Sequence, residues 1–255
     1  MRASEAPGGG TERAAGVDGA GALDGADVAL VIPAFRAART LPDVLARARR
    51  VVPAAQVVVV DDGSDDDTPS LALAGGAAVA SHEKNLGKGR ALATGLAGAE
   101  AMGVAWIVTL DADGQHPPEQ IPALLAPLRE GRADLVVGAR RRDPAVMPPG
   151  RRFSNWLSSS LVSRALGAAV PDSQSGFRAM GAAVAAAVKP GGRRYEFETE
   201  FLFLAAERGF RIAAVSIPTV YGGAPSHFRH VADTLRLAGV FARHWRRILA
   251  GPPTT

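Results

Sequence analysis

Two apolar runs that end in paired acids constrain the fold more than any other part of the chain. Val104 to Leu110 carries β-branched Val and Ile without polar alternation, the pattern of a strand covered on both faces of a sheet, and it stops at Asp111 and Asp113. Gln56 to Val60 is a second such run, and it ends in Asp61 and Asp62 followed by Gly63-Ser64. In an extended segment, side chains two positions apart point the same way, so Asp111 and Asp113 hold two anions close together. Such a pair needs a cation, which suggests a divalent metal and the phosphates that accompany it. A polar turn before Pro117-Pro118 would account for an isolated Asp-x-Asp. With two acidic strand ends, the rule that open α/β sheets bind ligands beyond their carboxyl edges defines one candidate site.

The other segments extend this pattern. Asp27 to Ile32 reads as a buried strand stopped by Pro33, and Thr40 to Val52 shows helical spacing at Leu41, Val44, Leu45 and Ala48. Asp65-Asp66-Asp67-Thr68 offers capping chemistry for a helix with Pro69 in its first turn. Ala77 to Ala80 is a weak strand leading to Asn85-Leu86-Gly87-Lys88-Gly89-Arg90, where backbone N–H groups at a helix start could cradle phosphate. The Walker spacing is missing, and no Gly-x-Gly-x-x-Gly follows the first strand, so neither a P-loop nor a dinucleotide site is expected. A helix over 118–130 and a strand over 133–138 follow, with Arg140 just past the strand. Alternation of strands and helices predicts an α/β, doubly wound and mostly parallel sheet with helices on both faces.

Beyond Pro148-Pro149 a helix is expected over 151–166, then a polar loop over 172–178 and a helix opened by Glu196, Glu198 and Glu200. Those glutamates suit a helix N-terminus or a site equally. Residues 211–217 read as a last strand. From Ser226 to Leu249, apolar and basic residues alternate at helical spacing, and the second half, with Trp245, suits an anionic membrane surface.

The 255 residues and 47% hydrophobic content are enough for one large domain. We expect a disordered tail over 1–26, the domain over 27–235, and a basic amphipathic helix and tail over 236–255. The tail lacks an apolar core and does not read as a signal peptide. No stretch approaches the ~20 apolar residues of a membrane span. Cysteine is absent, which excludes thiol catalysis and Cys-based metal sites. Basic residues collect at Arg140–Arg142, Arg151-Arg152, Arg193-Arg194 and from Arg229 to Arg247, a rim suited to an anionic substrate or membrane. The net charge of +4 gives no reason to expect a nucleic-acid partner.

The motifs in order resemble family 2 glycosyltransferases. They are Val-Ile-Pro-Ala-Phe at 31–35, Val-Asp-Asp-Gly-Ser at 60–64, Asn-Leu-Gly-Lys-Gly at 85–89, Asp-Ala-Asp-Gly-Gln-His at 111–116, Gly-Ala-Arg at 138–140 and Ser-Gly-Phe-Arg at 175–178. The likeness is greatest to the dolichol-phosphate mannosyltransferase and polyprenyl-phosphate glucosyltransferase branch. It implies a GT-A fold and inverting transfer of a hexose from a nucleotide diphosphate donor such as UDP-glucose or GDP-mannose to a lipid phosphate. By the same resemblance, Pro33, Phe35 and Asp62 hold the nucleotide, Asp111, Ala112 and Asp113 the diphosphate-sugar, and Asp113 with Gln115 a Mg2+ or Mn2+ ion. Arg140, Arg151 or Arg152, and Ser154 would meet the acceptor phosphate, with Asp111, Asp113 and Arg140 central to catalysis. Cytoplasmic location with peripheral membrane contact is the corresponding expectation.

A lipid phosphate is already anionic, so positioning and electrostatics suffice and no general base is nominated. The chain departs from the branch at Phe35-Arg36-Ala37, where a carboxylate near the nucleotide is lost. It departs again at Gly223-Ala224-Pro225-Ser226-His227, where His stands at a basic position, leaving Ser226 and His227 as acceptor candidates. A hydroxyl acceptor is the main rival and would need a base, for which Glu196, Glu198 and Asp172 are candidates. A non-catalytic nucleotide-sugar binding module and a pyrophosphorylase are the others, disfavoured by the retained Asp111, Asp113 and Gln115 and by Pro33 after the first strand.

Overall fold

The computed structural model describes residues 27–52, 56–140, 149–218 and 230–251, with 149–156 and 230–234 described as backbone only. Seven strands form one sheet in the order β3-β2-β1-β4-β6-β5-β7. These are β1 (Val28–Ala34), β2 (Val57–Asp61), β3 (Ala78–Ser81), β4 (Trp106–Thr109), β5 (Leu135–Arg140), β6 (Arg178–Gly181) and β7 (Ile212–Ile217). All pairings are parallel except those of β6, which runs antiparallel to both β4 and β5.

Every residue of β1 and β2 is buried, as their unbroken apolar character requires. Helices α1 (Leu41–Ala48), α2 (Thr68–Ala74) and α4 (Ile121–Arg129) cover one face, where Leu30, Ile32, Val59, Val108, Leu41, Leu45 and Leu124 form one core. Helices α3 (Lys88–Ala101), α5 (Pro149–Leu166), α6 (Ala182–Ala187), α7 (Glu196–Glu207), α8 (His230–Arg243) and α9 (Trp245–Ala250) belong to the other face. There Val31, Ile107, Val137, Leu96, Phe201 and Phe203 form a second core. Burying each of these large side chains contributes roughly 1.5–3 kcal/mol.

Pro33 does not stop β1. The strand runs through it to Ala34, paired with Val60 and Asp61 of β2. The Ala34 carbonyl accepts a bond from Asp62 N, so the neighbouring Pro33 nitrogen faces the β4 side, where the ladder has already ended at Thr109. The missing N–H therefore costs no sheet bond. Arg140 likewise belongs to β5 as its last residue.

The expected helix over 118–130 is a 3-10 turn, Pro118–Gln120, followed by α4. The C-terminal helical pattern is divided at His244, which stacks on Phe203 at 4.7 Å and pairs with Glu207 through Nδ1. Residues 1–26, Ser226 and His227 lie outside the described residues, as do the side chains of Arg151, Arg152 and Ser154.

Candidate active site

The carboxyl ends of β1, β2 and β4 open into a cleft of about 790 Å3, lined by Pro33, Phe35, Asp62, Asp111, Ala112 and Asp113 among others. The residues expected to hold a donor are therefore brought together. Lys88, Arg194 and Tyr195 line the same cleft from α3 and the start of α7. Arg140 and Gln115 are outside that lining.

The loop after β1 is tied to its neighbours rather than to solvent. Thr40 donates its hydroxyl to the Ala112 carbonyl at 2.7 Å, Arg36 N donates to Ser64 Oγ and Ala37 N to Thr68 Oγ1. The triple acid divides its work. Asp66 accepts from Thr68 and Ala38 N near the start of α2, Asp65 takes a two-pronged contact from Arg36, and Asp67 occupies the N-cap position without a side-chain capping bond. The expected capping is thus made by Asp66.

Asp62 is fully engaged at the cleft floor. Its Oδ1 contacts His82 Nδ1 at 2.7 Å and accepts from Leu86 N at 2.9 Å, and its Oδ2 accepts from Gly87 N at 2.8 Å. It thereby shapes the turn that starts α3, in which Gly87 takes φ 99°, a conformation that favours glycine.

The two acids of β4 differ sharply. Asp111 Oδ1 sits 2.7 Å from Lys88 Nζ, and the same ammonium lies 2.8 Å from Glu198 Oε1. Burial works to raise the Asp111 carboxyl, but Lys88 foremost and other nearby cations outweigh it and hold it below the usual range. Lys88 is opposed by burial yet kept charged, above the ordinary lysine value, by Asp111 and Glu198. Asp113 shows the reverse behaviour: burial first, and then the Asp111 charge, push its carboxyl up. Its Oδ1 accepts from Gln115 N at 2.9 Å. No ion pair joins it to a cation among the described residues.

Lys88 is the charged cleft residue that the sequence did not single out, where its segment suggested a backbone cradle. The signal was present as two acids that required a cation and a lysine at a helix start. Gly176 completes its surroundings, since a Cβ there would lie 2.5 and 2.7 Å from the Asp111 oxygens and 2.8 Å from Lys88 Nζ. Gly176→Ala is expected to spread this ion pair and cost about 1–3 kcal/mol, as overpacking does. A melting curve reads the loss, and an unchanged midpoint would contradict the tight packing.

His116 lies behind the pair, 1% exposed, with its ring 5.5 Å from Phe177 and its Nδ1 3.8 Å from Asp111 Oδ2. Neither ring nitrogen has a hydrogen-bond partner among the described residues. Burial pushes it down to about 4, against the opposing pull of Asp111. The folded chain thus holds it neutral while the unfolded chain protonates it near the ordinary value of 6.5. Stability is lost as pH falls from there towards 4, by up to about 3 kcal/mol from this group. Denaturant unfolding at pH 7 and pH 4.5 should show a smaller acid loss in His116→Phe than in the parent.

The other nominated residues have internal partners. Arg140 donates from Nε to Asp172 Oδ2 at 2.7 Å and from NH2 to Oδ1 at 3.3 Å, and Asp172 is fully buried. Glu196 accepts from Arg193 N, and Glu200 from Gly192 N while it also pairs with Arg243. Buried Arg178 is consumed by the carbonyls of Ser175, Glu198 and Ser173, which fixes the segment that carries Gly176.

The sequence profile described as Glycosyl transferase family 2 matches residues 29–186. The undecaprenyl-phosphate mannosyltransferase of Micrococcus luteus is 35% identical over 208 residues, 76% of this chain and 83% of that one. The polyprenol monophosphomannose synthase of Mycolicibacterium smegmatis is 30% identical over 226 residues, 81% of this chain and 82% of that one. Among solved structures, glucosyl-3-phosphoglycerate synthase from Mycobacterium tuberculosis, in complex with Mn2+, UDP and phosphoglyceric acid, superposes with TM-score 0.67 at 25% identity. That match covers 89% of this chain and 80% of the other.

Proposed function

Because the chain belongs to glycosyl transferase family 2 and is a glycosyltransferase of GT-A fold, we propose that it moves a hexose from a nucleotide diphosphate sugar to a polyprenyl phosphate. One observation carries the choice of acceptor. The carboxylates nominated as base for a hydroxyl acceptor all face a partner through at least one oxygen, Asp172 at Arg140, Glu196 at Arg193 N and Glu198 at Lys88, and none of them is among the residues lining the cleft. An anionic acceptor needs no such base, because its phosphate oxygen is already a nucleophile. That oxygen attacks the anomeric carbon as the bond to the donor diphosphate breaks, which inverts the centre and releases a nucleoside diphosphate.

The donor residues suit a divalent ion. Asp113 is a cleft-lining carboxylate whose charge no cation neutralises by direct pairing among the described residues, and Mg2+ or Mn2+ is commonly held by one or two carboxylates with substrate phosphates. Asp113 would hold it; the place of Gln115 in the ligand set rests on the family resemblance. When bound, the ion would offset the negative charge developing on the leaving diphosphate. Pro33, Phe35 and Asp62 flank the part of the cleft left for the nucleoside, with Ala112 between the two acids. Arg140 favours an anion beyond the acids, and Arg151, Arg152, Ser154, Ser226 and His227 are its proposed companions at the acceptor phosphate.

Membrane contact belongs to the same reading. No described helix is long and apolar enough to cross a membrane. Leu235, Trp245 and Leu249 are exposed on α8 and α9 beside Arg236 and Arg246, an arrangement suited to an anionic lipid surface. The proposed location is accordingly a membrane surface.

The deciding experiment supplies labelled UDP-glucose and GDP-mannose separately, with Mn2+ or Mg2+, with and without polyprenyl phosphate. Label in the organic phase that requires the lipid phosphate is the expected result and names the donor. Donor turnover with phosphoglyceric acid but no lipid labelling would favour the second reading, a small hydroxyl-bearing acceptor, which the structural match to the synthase supports.

A further inference from the structure

We propose that Arg36 selects the donor nucleobase: its guanidinium, directed by Asp65 at the rim of the cleft, donates to a ring carbonyl, so that an oxo base, uracil or guanine, is favoured over an amino base, cytosine or adenine. The inference rests on the donor reading above and names what reads the base where Phe35-Arg36-Ala37 lacks a carboxylate.

Among the described residues, Arg36 is the only one other than glycine with a positive φ, 51°, a left-handed conformation that L side chains disfavour. Strain of this kind gathers at ligand sites. The loop that carries Arg36 is already fastened to the segment after β2 by backbone donors, Arg36 N to Ser64 Oγ at 2.9 Å, Ala37 N to Thr68 Oγ1 at 2.8 Å and Ala38 N to Asp66 Oδ2 at 3.2 Å. The side chain adds a contact of another kind. Nε donates to Asp65 Oδ1 at 2.7 Å and Nη2 to Oδ2 at 2.6 Å, while Cζ lies 5.2 Å from the centre of the Phe35 ring. The two side chains of this pair are 55% and 67% exposed, and an ion pair so exposed contributes little to stability. Its effect is on direction, because it holds the fork beside Phe35 where both residues line the cleft.

The grip of Asp65 uses Nε and one hydrogen of Nη2. Nη1 and the other Nη2 hydrogen have no partner among the described residues, and a guanidinium can only donate. Asp65 also offsets the charge, which makes the group a directed donor rather than a free cation for the diphosphate. At the nucleoside end, Asp62 is turned to the protein by His82, Leu86 N and Gly87 N. A base beside Arg36 therefore meets donors, and its own edge must accept. Uracil presents O4, and guanine O6 beside N7, whereas cytosine and adenine carry an amino group at the matching position. That amino group would set donor against donor.

Titration calorimetry on the full chain with Mn2+ compares UDP with CDP, and GDP with ADP, pairs matched in ring size. The parent is expected to favour the oxo member of one pair by about tenfold, the size of one charge-assisted hydrogen bond, and that pair names the base. Arg36→Gly relieves the left-handed backbone and removes the guanidinium, so the preference should shrink to about twofold or less while the amino nucleotide binds as in the parent. Asp65→Asn keeps the guanidinium but loosens its hold, and should lower the same ratio without weakening the amino nucleotide. A preference that survives in Arg36→Gly would place base selection elsewhere and overturn the proposal. Equal loss of all four nucleotides would mark a diphosphate contact and overturn it too, as would a parent that does not distinguish oxo from amino bases. A parent that binds none of the four would instead reject the donor reading, and this inference with it.

Discussion

Asp113→Asn is expected to lower transfer by about a thousandfold or more while leaving the melting temperature unchanged or higher. The catalytic loss follows from removing a cleft carboxylate that no cation pairs with directly among the described residues, and with it the charge that would hold the divalent ion; losing several kcal/mol of leaving-group stabilisation corresponds to that factor. The stability direction comes from the same fact. Burial and the Asp111 charge raise the Asp113 carboxyl, so the folded state disfavours its ionised form and gains when the charge is removed. Activity is thus maintained at a small cost in stability, as at many active sites. Steady-state turnover at saturating Mn2+ beside a thermal melt reads both. Undiminished turnover would remove Asp113 from the metal site, and a collapsed melt would show it to be structural.

That contrast between the two acids marks where sequence legibility ends. The apolar runs of β1, β2, β4 and β5 were readable because burial on both faces leaves no polar alternation, and the motif acids fell where strand ends place ligands. β6 was not readable. Arg178-Ala179-Met180-Gly181 is four residues long, and what makes it a strand is antiparallel pairing with β4 and β5, which no local pattern encodes. The need for a cation near Asp111 and Asp113 was legible from charge alone, but its source was not. Lys88 comes to Asp111 through the packing of α3 beside β4, and Glu198 reaches it from α7, so the ion pair depends on contacts between distant segments. The same limit applies to Arg140. Its position at a strand end suggested an anion contact, while its buried partner Asp172 lies in a loop 32 residues away.

That partner changes what Arg140→Ala must do. A surface arginine removed from an acceptor site would raise the acceptor requirement and spare donor binding. Here the substitution also leaves Asp172, with no exposed surface, without its two-pronged contact. Breaking a buried pair by removing one member costs about 3–5 kcal/mol, so Arg140→Ala is expected to lower both the melting temperature and lipid-dependent transfer. Arg140→Ala/Asp172→Asn separates the two effects, because it removes the buried charge that Arg140 faced and keeps the shape of the acid. The double variant should recover most of the lost stability. If Arg140 also attracts the acceptor, its KM for polyprenyl phosphate should stay raised by about tenfold or more while donor KM changes little, the value of one charge-assisted contact. Acceptor KM returning to the parent value with stability would confine Arg140 to holding Asp172. A large rise in donor KM would place it instead at the diphosphate, beside the acids whose charge it already offsets.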